Sequence, residues 1–270
     1  MNLLWSQCLS RQLCLLSSSQ HLLICSDFDG TLAPIAPRPE QAMLLPGAFD
    51  LLHKLARLPD TRVAIISGRP QDSLRAHSGL DAPILLVGSH GAELPGYTTG
   101  GEVEDKSMLD TLEVKLVSIC SKSPGAWLER KPLGIAIHVR AASPTGAERV
   151  FDAVRNLCVK QPTLHFTMGK AVLELSLSRK NKGDAVHWLR DDCGTNPQVL
   201  YLGDDLTDEN AFAALGPTDI GVKVGSGATL ARFRVDSERA VLGILAFLWR
   251  ARLSLASHRI APRCPRAQLN

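Results

Sequence analysis

The chain alternates short, wholly apolar runs with segments whose apolar positions recur every three or four residues. Leu22-Leu23-Ile24-Cys25, Val63-Ala64-Ile65-Ile66, Ile84-Leu85-Leu86-Val87 and Val199-Leu200-Tyr201-Leu202 are such runs. They are too short for helices and have no polar face, so they predict strands buried on both sides. Residues 46–58, with Phe49, Leu51, Leu52, Leu55 and Leu58, have helical spacing; 182–190 and 208–215 also predict helices. A further strand is expected over 220–224 and a closing helix over 240–249. Strand-helix alternation of this kind predicts a mostly parallel sheet covered by helices.

The rhythm changes over 105–179. A helix is expected at 105–121, strands at 127–131 and 134–140, a helix at 145–160, and strands at 164–168 and 171–177. Helix-strand-strand, twice over, predicts an α+β module with antiparallel pairing through short turns. The expected fold class is therefore α/β: a Rossmann-like parallel-sheet core over 22–104 and 180–256, interrupted by an inserted α+β lid, or cap, over 105–179. Residues 1–21 form an N-terminal extension and 257–270 a basic tail. The Leu-rich start, whose only fully charged side chain is Arg11, lacks the basic region and cleavage site of a signal peptide. It predicts a short helix packed on the core. Past Trp249, Arg250, Arg252, Arg259, Arg263 and Arg266, with Pro262 and Pro265, read as a solvated, frayed end. No run reaches the ~18 uninterrupted apolar residues of a membrane span. No membrane association is expected, and a cytoplasmic location is.

Composition narrows the partners. With 45% hydrophobic and 21% charged residues in a chain of 270, an ordinary globular protein with a real core is expected. A formal net charge of +3, without basic runs in the middle of the chain, is too mild to argue for nucleic acid, and no nucleic-acid partner is expected. A small phosphorylated substrate is the expected anionic partner; oligomeric state is left open. The seven cysteines lack CxxC spacing, which argues against a zinc site and a disulfide framework.

Candidate chemistry gathers at strand ends. Asp27-Phe28-Asp29-Gly30-Thr31 follows the first run. On a regular strand both carboxylates would share one face and repel, a penalty that a nearby cation removes. Gly30 lets the chain turn, and Thr31 offers a hydroxyl and backbone amides to a phosphate. The chemistry suits attack on phosphorus by Asp27, with Asp29 protonating the leaving alcohol and then activating water. An isolated segment of this kind reads equally as an acidic turn. Three further features follow in order. Ser67 ends the second run and can bind a phosphate oxygen or cap a helix. Lys182 opens a helix and can neutralise a phosphoryl group. Gly203-Asp204-Asp205-Leu206-Thr207-Asp208-Glu209 packs four carboxylates behind another strand, a concentration that a hard cation with oxygen ligands explains.

Together, Asp27-Phe28-Asp29-Gly30-Thr31, Ser67, Lys182 and Gly203-Asp204-Asp205 resemble the four motifs of the haloacid dehalogenase-like phosphatases. Within that superfamily, Asp29-Gly30-Thr31-Leu32-Ala33-Pro34-Ile35, Ile66-Ser67-Gly68-Arg69, His90-Gly91-Ala92-Glu93 and the segment from Gly203 to Phe212 are similar to the trehalose-6-phosphate phosphatase family. The resemblance covers about residues 22–245 and departs at Asn210, where the family usually carries an acidic residue. It implies catalytic roles for Asp27, Asp29, Ser67 and Lys182. It also implies a Mg2+ cofactor on Asp27, Asp204 and the main-chain carbonyl of Asp29, with Asp208 either a further ligand or a hydrogen-bond acceptor behind the ligands, and Thr31 and Arg69 at the substrate.

The lid carries its own candidates. Glu129 and Lys131 are two apart on one strand, as are His138 and Arg140 on the next, and Glu174 interrupts an apolar run. Such fixed donors and acceptors suit sugar hydroxyls, although any half-exposed antiparallel sheet alternates in this way. In the family, similar segments contact the disaccharide, so a phosphorylated disaccharide is the implied substrate. Phosphates of glucosylglycerol, sucrose or mannosylglycerate are the alternatives.

Overall fold

The computed structural model describes residues 5–96, 106–159, 161, 164–169 and 171–260. Helix α1 (Gln7–Ser17) precedes β1 (Leu22–Ser26), α2 (Ala48–Ala56), β2 (Thr61–Ile66), α3 (Gln71–Ser78) and β3 (Leu85–Val87). Then come α4 (Lys106–Cys120), β4 (Trp127–Lys131), β5 (Gly134–His138), α5 (Pro144–Cys158), β6 (His165–Gly169) and β7 (Val172–Ser176). The chain closes with α6 (Lys182–Cys193), β8 (Gln198–Gly203), α7 (Asp208–Ala213), β9 (Ile220–Val224), β10 (Phe233–Val235) and α8 (Glu238–Ile260).

Six strands form one sheet in the order β10-β9-β8-β1-β2-β3, with every pairing parallel. Alternate side chains of its central strands enter two different cores, as the two-residue period of a strand dictates. Leu22, Ile24, Val63, Ile65, Leu200 and Leu202 face α1, α2 and α8; Leu23, Cys25, Ala64, Ile66, Val199 and Tyr201 face α6 and α7. Because both faces are covered, these strands carry no polar alternation. β1 lies between β2 and β8, with Ser26 opposite Ile65 and Leu202. That register aligns the carboxyl ends of the three strands, so the loops after them converge.

β4-β5-β7-β6 form a second, antiparallel sheet. One face carries Ile135, Ile137, Leu173 and Leu175 onto α4 and α5, enclosing a third core. The core-and-cap architecture expected from the hydrophobic pattern is what the structure shows.

Helix α1 is capped by the Ser6 hydroxyl and buries Leu9, Leu13 and Leu16, one helical stripe. The expected solvated end after Trp249 is corrected. α8 continues to Ile260, and Arg252, one turn beyond buried Leu248, is itself buried. Its guanidinium donates to Thr61 Oγ1 at 2.8 Å and to the carbonyls of Ser17, Ser19, Pro59 and Asp60 at 2.9–3.4 Å. Only arginine has enough donors in a fixed plane to satisfy so many oxygens from separate loops. Residues 261–270, with Arg263 and Arg266, lie outside the described residues. By length and composition α8 could cross a membrane over Glu238–Ser257, but it buries Val241, Ile244, Leu245 and Leu248 in the core.

Candidate active site

The ladder between β1 and β8 runs one residue past Ser26, where the Asp27 amide donates to the Leu202 carbonyl at 2.9 Å. The strand then gives way to a turn in which the amides of Leu32 and Ala33 both donate to the Phe28 carbonyl at 2.9 Å. Gly30 sits at φ +78°, and a Cβ there would lie 2.4 Å from the Asp204 carboxylate. Glycine is thus required both for the turn and for the approach of the two acidic loops. The like-charge repulsion expected of Asp27 and Asp29 is avoided because the turn sends each carboxylate to its own cation.

Asp27 is buried against Lys182, Oδ2 to Nζ 2.9 Å, and its Oδ1 accepts the Phe28 amide at 2.7 Å. Lys182 opens α6, whose N-terminus is held by a reciprocal Asn181–Asp184 capping box. Its ammonium also donates to Asp208 Oδ1 at 2.8 Å. Asp208 is wholly buried and fully bonded: Oδ1 takes Lys182 and the Tyr201 hydroxyl, and Oδ2 takes the amides of Asp204 and Asp205, all at 2.8 Å. Burial pushes the Lys182 ammonium toward release of its proton, but Asp208 and Asp27 more than offset this and its pKa is raised. Burial raises the Asp27 carboxyl; Lys182 opposes this, while Asp208 and Asp204 add to it, and the net direction is upward. Burial also raises the Asp208 carboxyl, but Lys182 and the hydrogen bonds on its two oxygens hold it below the ordinary value.

Asp27, Asp204 and Asp208 offer carboxylate oxygens that all lie within 4.8 Å of one another. Three buried carboxylates around one ammonium carry excess negative charge, and hard oxygen donors are the set that Mg2+ takes. The donor set therefore fits a divalent cation. Since Asp208 already accepts four hydrogen bonds, Asp27 and Asp204 are the side chains left to turn toward an ion.

Asp29 forms a two-pronged pair with Arg69, Nε to Oδ2 and Nη2 to Oδ1 both 2.7 Å. Arg69 also donates to the Pro39 carbonyl at 2.7 Å and lies over the Phe28 ring. Ser67 is buried, and its hydroxyl accepts the Arg69 amide at 3.2 Å rather than capping α3, which starts four residues on.

The other wall of the pocket is the open face of the antiparallel sheet. Trp127, Glu129 and Lys131 on β4, Ala136 and His138 on β5, and Val172 and Glu174 on β7 line it, together with Arg140. Glu129, Ala136 and Glu174 lie in one row across three strands, and the small central residue leaves space between the two carboxylates. Glu129 accepts from His138 Nε2 at 2.9 Å, and the His138 ring stacks on Trp127 with centroids 4.0 Å apart. Burial raises the Glu129 carboxyl, but the His138 hydrogen bond and Lys131 prevail and lower it. Glu174 accepts from Lys131 Nζ at 2.6 Å and from His90 Nε2 at 3.1 Å. Burial likewise pushes Glu174 up, yet Lys131 and His90 bring it down to about 2.

Eleven of the thirteen residues expected at a site therefore line one pocket: Asp27, Asp29, Ser67, Arg69, Glu129, Lys131, His138, Arg140, Glu174, Lys182 and Asp204. Thr31 and Asp208 are buried and do not line it. Four residues escaped the sequence reading. Lys223, in the middle of β9, is buried and donates to the carbonyls of Asp204 and Asp205 at 2.7 and 3.2 Å. A lysine inside an otherwise apolar run, needing a partner once buried, was the signal for it. The Tyr201 hydroxyl, in a strand buried on both faces, was a similar signal. His90 stood in the family-like segment His90-Gly91-Ala92-Glu93 without being given a role, and Trp127 carried no signal, because only the fold turns them to the pocket.

The sequence profile of the trehalose-phosphatase family matches residues 25–239, the stretch that contains every one of these groups. The chain belongs to the trehalose-phosphatase family. It is 36% identical over 231 residues to a trehalose-phosphate phosphatase of Mycobacterium tuberculosis, covering 80% of this chain and 58% of that protein. It is 35% identical over 238 residues to a bifunctional trehalose-6-phosphate synthase/phosphatase of Thermoproteus tenax, covering 85% of this chain and 32% of that protein. The chain thus spans less than two thirds of the length of these relatives. Among solved structures it resembles the C-terminal domain of the C. albicans trehalose-6-phosphate phosphatase, with a TM-score of 0.79 and 26% identity over 89% of this chain and 96% of that one. This trehalose-phosphatase family member accordingly has a pocket with a buried, carboxylate-rich floor around Lys182 and a polar roof.

Proposed function

We propose that the chain hydrolyses trehalose 6-phosphate to trehalose and inorganic phosphate, the last step of trehalose biosynthesis, in the cytoplasm and with Mg2+ as cofactor. One observation carries this reading: a single pocket joins the buried Asp27–Lys182 pair to the polar row Glu129, Lys131, His138 and Glu174. A phosphate fits the first and a hydroxyl-rich leaving group the second. The family relatives named as trehalose phosphatases support the choice of sugar.

In this reading Asp27 attacks phosphorus as the bond to the sugar oxygen breaks, giving an aspartyl-phosphate. Asp29 gives its proton to the departing 6-oxygen, then takes one from the water that cleaves the aspartyl-phosphate. Arg69 grips both oxygens of Asp29 in the substrate-free protein and favours its carboxylate, so this step requires the pair to open before Asp29 takes up the proton that it donates. Lys182 and the Ser67 hydroxyl hold the phosphoryl oxygens, and the buried setting strengthens both contacts. Asp27, Asp204 and the Asp29 carbonyl would hold Mg2+, with Asp208 fixing Lys182 and the Asp204 loop from behind. When bound, the ion offsets the negative charge that gathers on the phosphoryl group. Glu129, Lys131, His138, Arg140 and Glu174 read the sugar hydroxyls from the cap.

The test is turnover of trehalose 6-phosphate with and without Mg2+, beside sucrose 6-phosphate and glucosylglycerol phosphate. Strong preference for the trehalose ester, lost on chelation, is expected. Equal rates on all three esters refute the substrate, and full activity of Asp27→Asn refutes the nucleophile.

A further inference from the structure

The two glutamates of the pocket roof are held by different parts of the molecule. Glu129 takes its hydrogen bond from His138, a neighbour in the same sheet. Glu174 takes one from His90, which stands on the loop after β3 in the parallel-sheet core. Its other partner, Lys131, reaches from the cap to the core as well, donating to the Gly68 carbonyl at 2.7 Å. His90 and Gly68 thus receive the cap at one point.

That point is built with care for the ring. His90 adopts φ +57°, a left-handed conformation that costs a non-glycine residue free energy, and Ser89 beside it does the same. A Cβ on Gly68 would lie 2.4 Å from His90 Cε1, so the glycine makes room for the imidazole. The His90 amide donates to the Ser67 carbonyl and the Ser89 amide to the Arg69 carbonyl, at 2.9 and 2.8 Å. The loop that carries the ring is therefore stitched to the segment that carries Ser67 and the arginine gripping Asp29. A carboxylate acceptor on Nε2 requires the proton to sit on that nitrogen.

We propose that His90 is a positioning residue: from the core it fixes Glu174, and with it Lys131, over the pocket, so that cap docking and recognition of the sugar depend on it. This inference rests on the proposed sugar-phosphate activity but names a residue outside the phosphoryl chemistry. It acts through Glu174 and touches neither phosphorus nor the leaving oxygen in that scheme.

His90→Asn and His90→Gln test it. Asparagine accepts the left-handed backbone readily but is too short to reach Glu174; the glutamine amide nitrogen reaches about as far as Nε2. The readout is the ratio of kcat/KM on trehalose 6-phosphate to kcat/KM on p-nitrophenyl phosphate, an ester with no sugar to recognise. In His90→Asn this ratio falls about tenfold, mainly through KM, as loss of one hydrogen bond to a charged group implies. In His90→Gln most of it returns. The radius of gyration of the substrate-free His90→Asn protein, from solution scattering, rises as the cap loosens.

A ratio that stays constant while both activities fall overturns the proposal, as does a glutamine variant no better than asparagine at equal Tm. If the unaltered protein shows no preference for trehalose 6-phosphate, the substrate reading fails instead, and scattering alone decides on the latch. An unchanged radius then refutes it. Should His90→Asn not fold, Lys131→Met, read by scattering, removes the other cap-to-core bond and must give the same expansion.

Discussion

The floor and the roof of the pocket are both polar, yet they are made in opposite ways. The floor is assembled from loops at the ends of parallel strands, and its Asp27, Lys182, Asp204 and Asp208 are all buried. Its charges have no water to fall back on, so each depends on the others. The roof is one face of an antiparallel sheet whose other face is a hydrophobic core. Its groups are set by the alternation of the strands and most keep some access to solvent. A floor of that kind suits a fixed chemical step, and a roof of that kind suits discrimination, which tolerates exchange of individual side chains.

Substitutions should separate the two regions. The largest effect is expected from Asp27→Asn: turnover falls by about 10⁴-fold or more, while Tm in metal-free buffer does not fall. Removing a carboxylate that burial, Asp208 and Asp204 all disfavour relieves repulsion even though Lys182 loses a partner. A calorimetric scan showing marked destabilisation would contradict the crowded-charge account of the floor.

Asp208→Asn comes next, because it strips Lys182 of a buried counter-charge and weakens the bonds that hold the Asp204 loop. Destabilisation of about 3 kcal/mol is expected from denaturant unfolding, together with loss of turnover.

On the roof, Glu174→Gln tests the pH linkage. The folded-state pKa of Glu174 is depressed from 4.5 to about 2. Its contribution is therefore present in full above pH 4.5 and lost as pH falls through about 2. At pH 7 the variant should be less stable by up to about 3 kcal/mol, and the gap should close between pH 4.5 and 2. A gap independent of pH would mean that the Lys131 and His90 contacts contribute packing rather than charge.

The smallest effect is expected from Glu129→Gln, whose partner His138 lies within the cap. Its kcat/KM on trehalose 6-phosphate should fall about tenfold, the worth of one charged hydrogen bond, and fall more than on p-nitrophenyl phosphate. An equal fall on both esters would join this residue to the floor.

The parallel core was legible because its strands are apolar at every position, a pattern that only burial on both faces produces. The cap was legible from alternation, since Glu129, Lys131 and His138 mark the face opposite Ile135 and Ile137. The reading stopped short at the C-terminus, where a cluster of arginines looked like a solvated tail. Arg252 turns inward because several loop carbonyls at the opposite edge of the sheet need donors, and no local pattern announces that need. β10, with three residues, was too short to show any period.

What the sequence by itself determined was the chemistry available: acidic residues behind buried strands, a lysine at a helix start, and a polar face on a second sheet. Strand ends and period-two faces are local properties, so the residues declare them without help from the rest of the chain. Only the tertiary structure decided how those charges are shared. Asp208 is satisfied by four donors and withdrawn from the pocket, Asp29 is gripped by Arg69, and Glu174 is held by a histidine from the loop after β3. Lys182 and Asp208, Asp29 and Arg69, and His90 and Glu174 lie 26, 40 and 84 residues apart, and a hydrogen bond is a matter of distance and angle in space, which the order of residues does not encode locally.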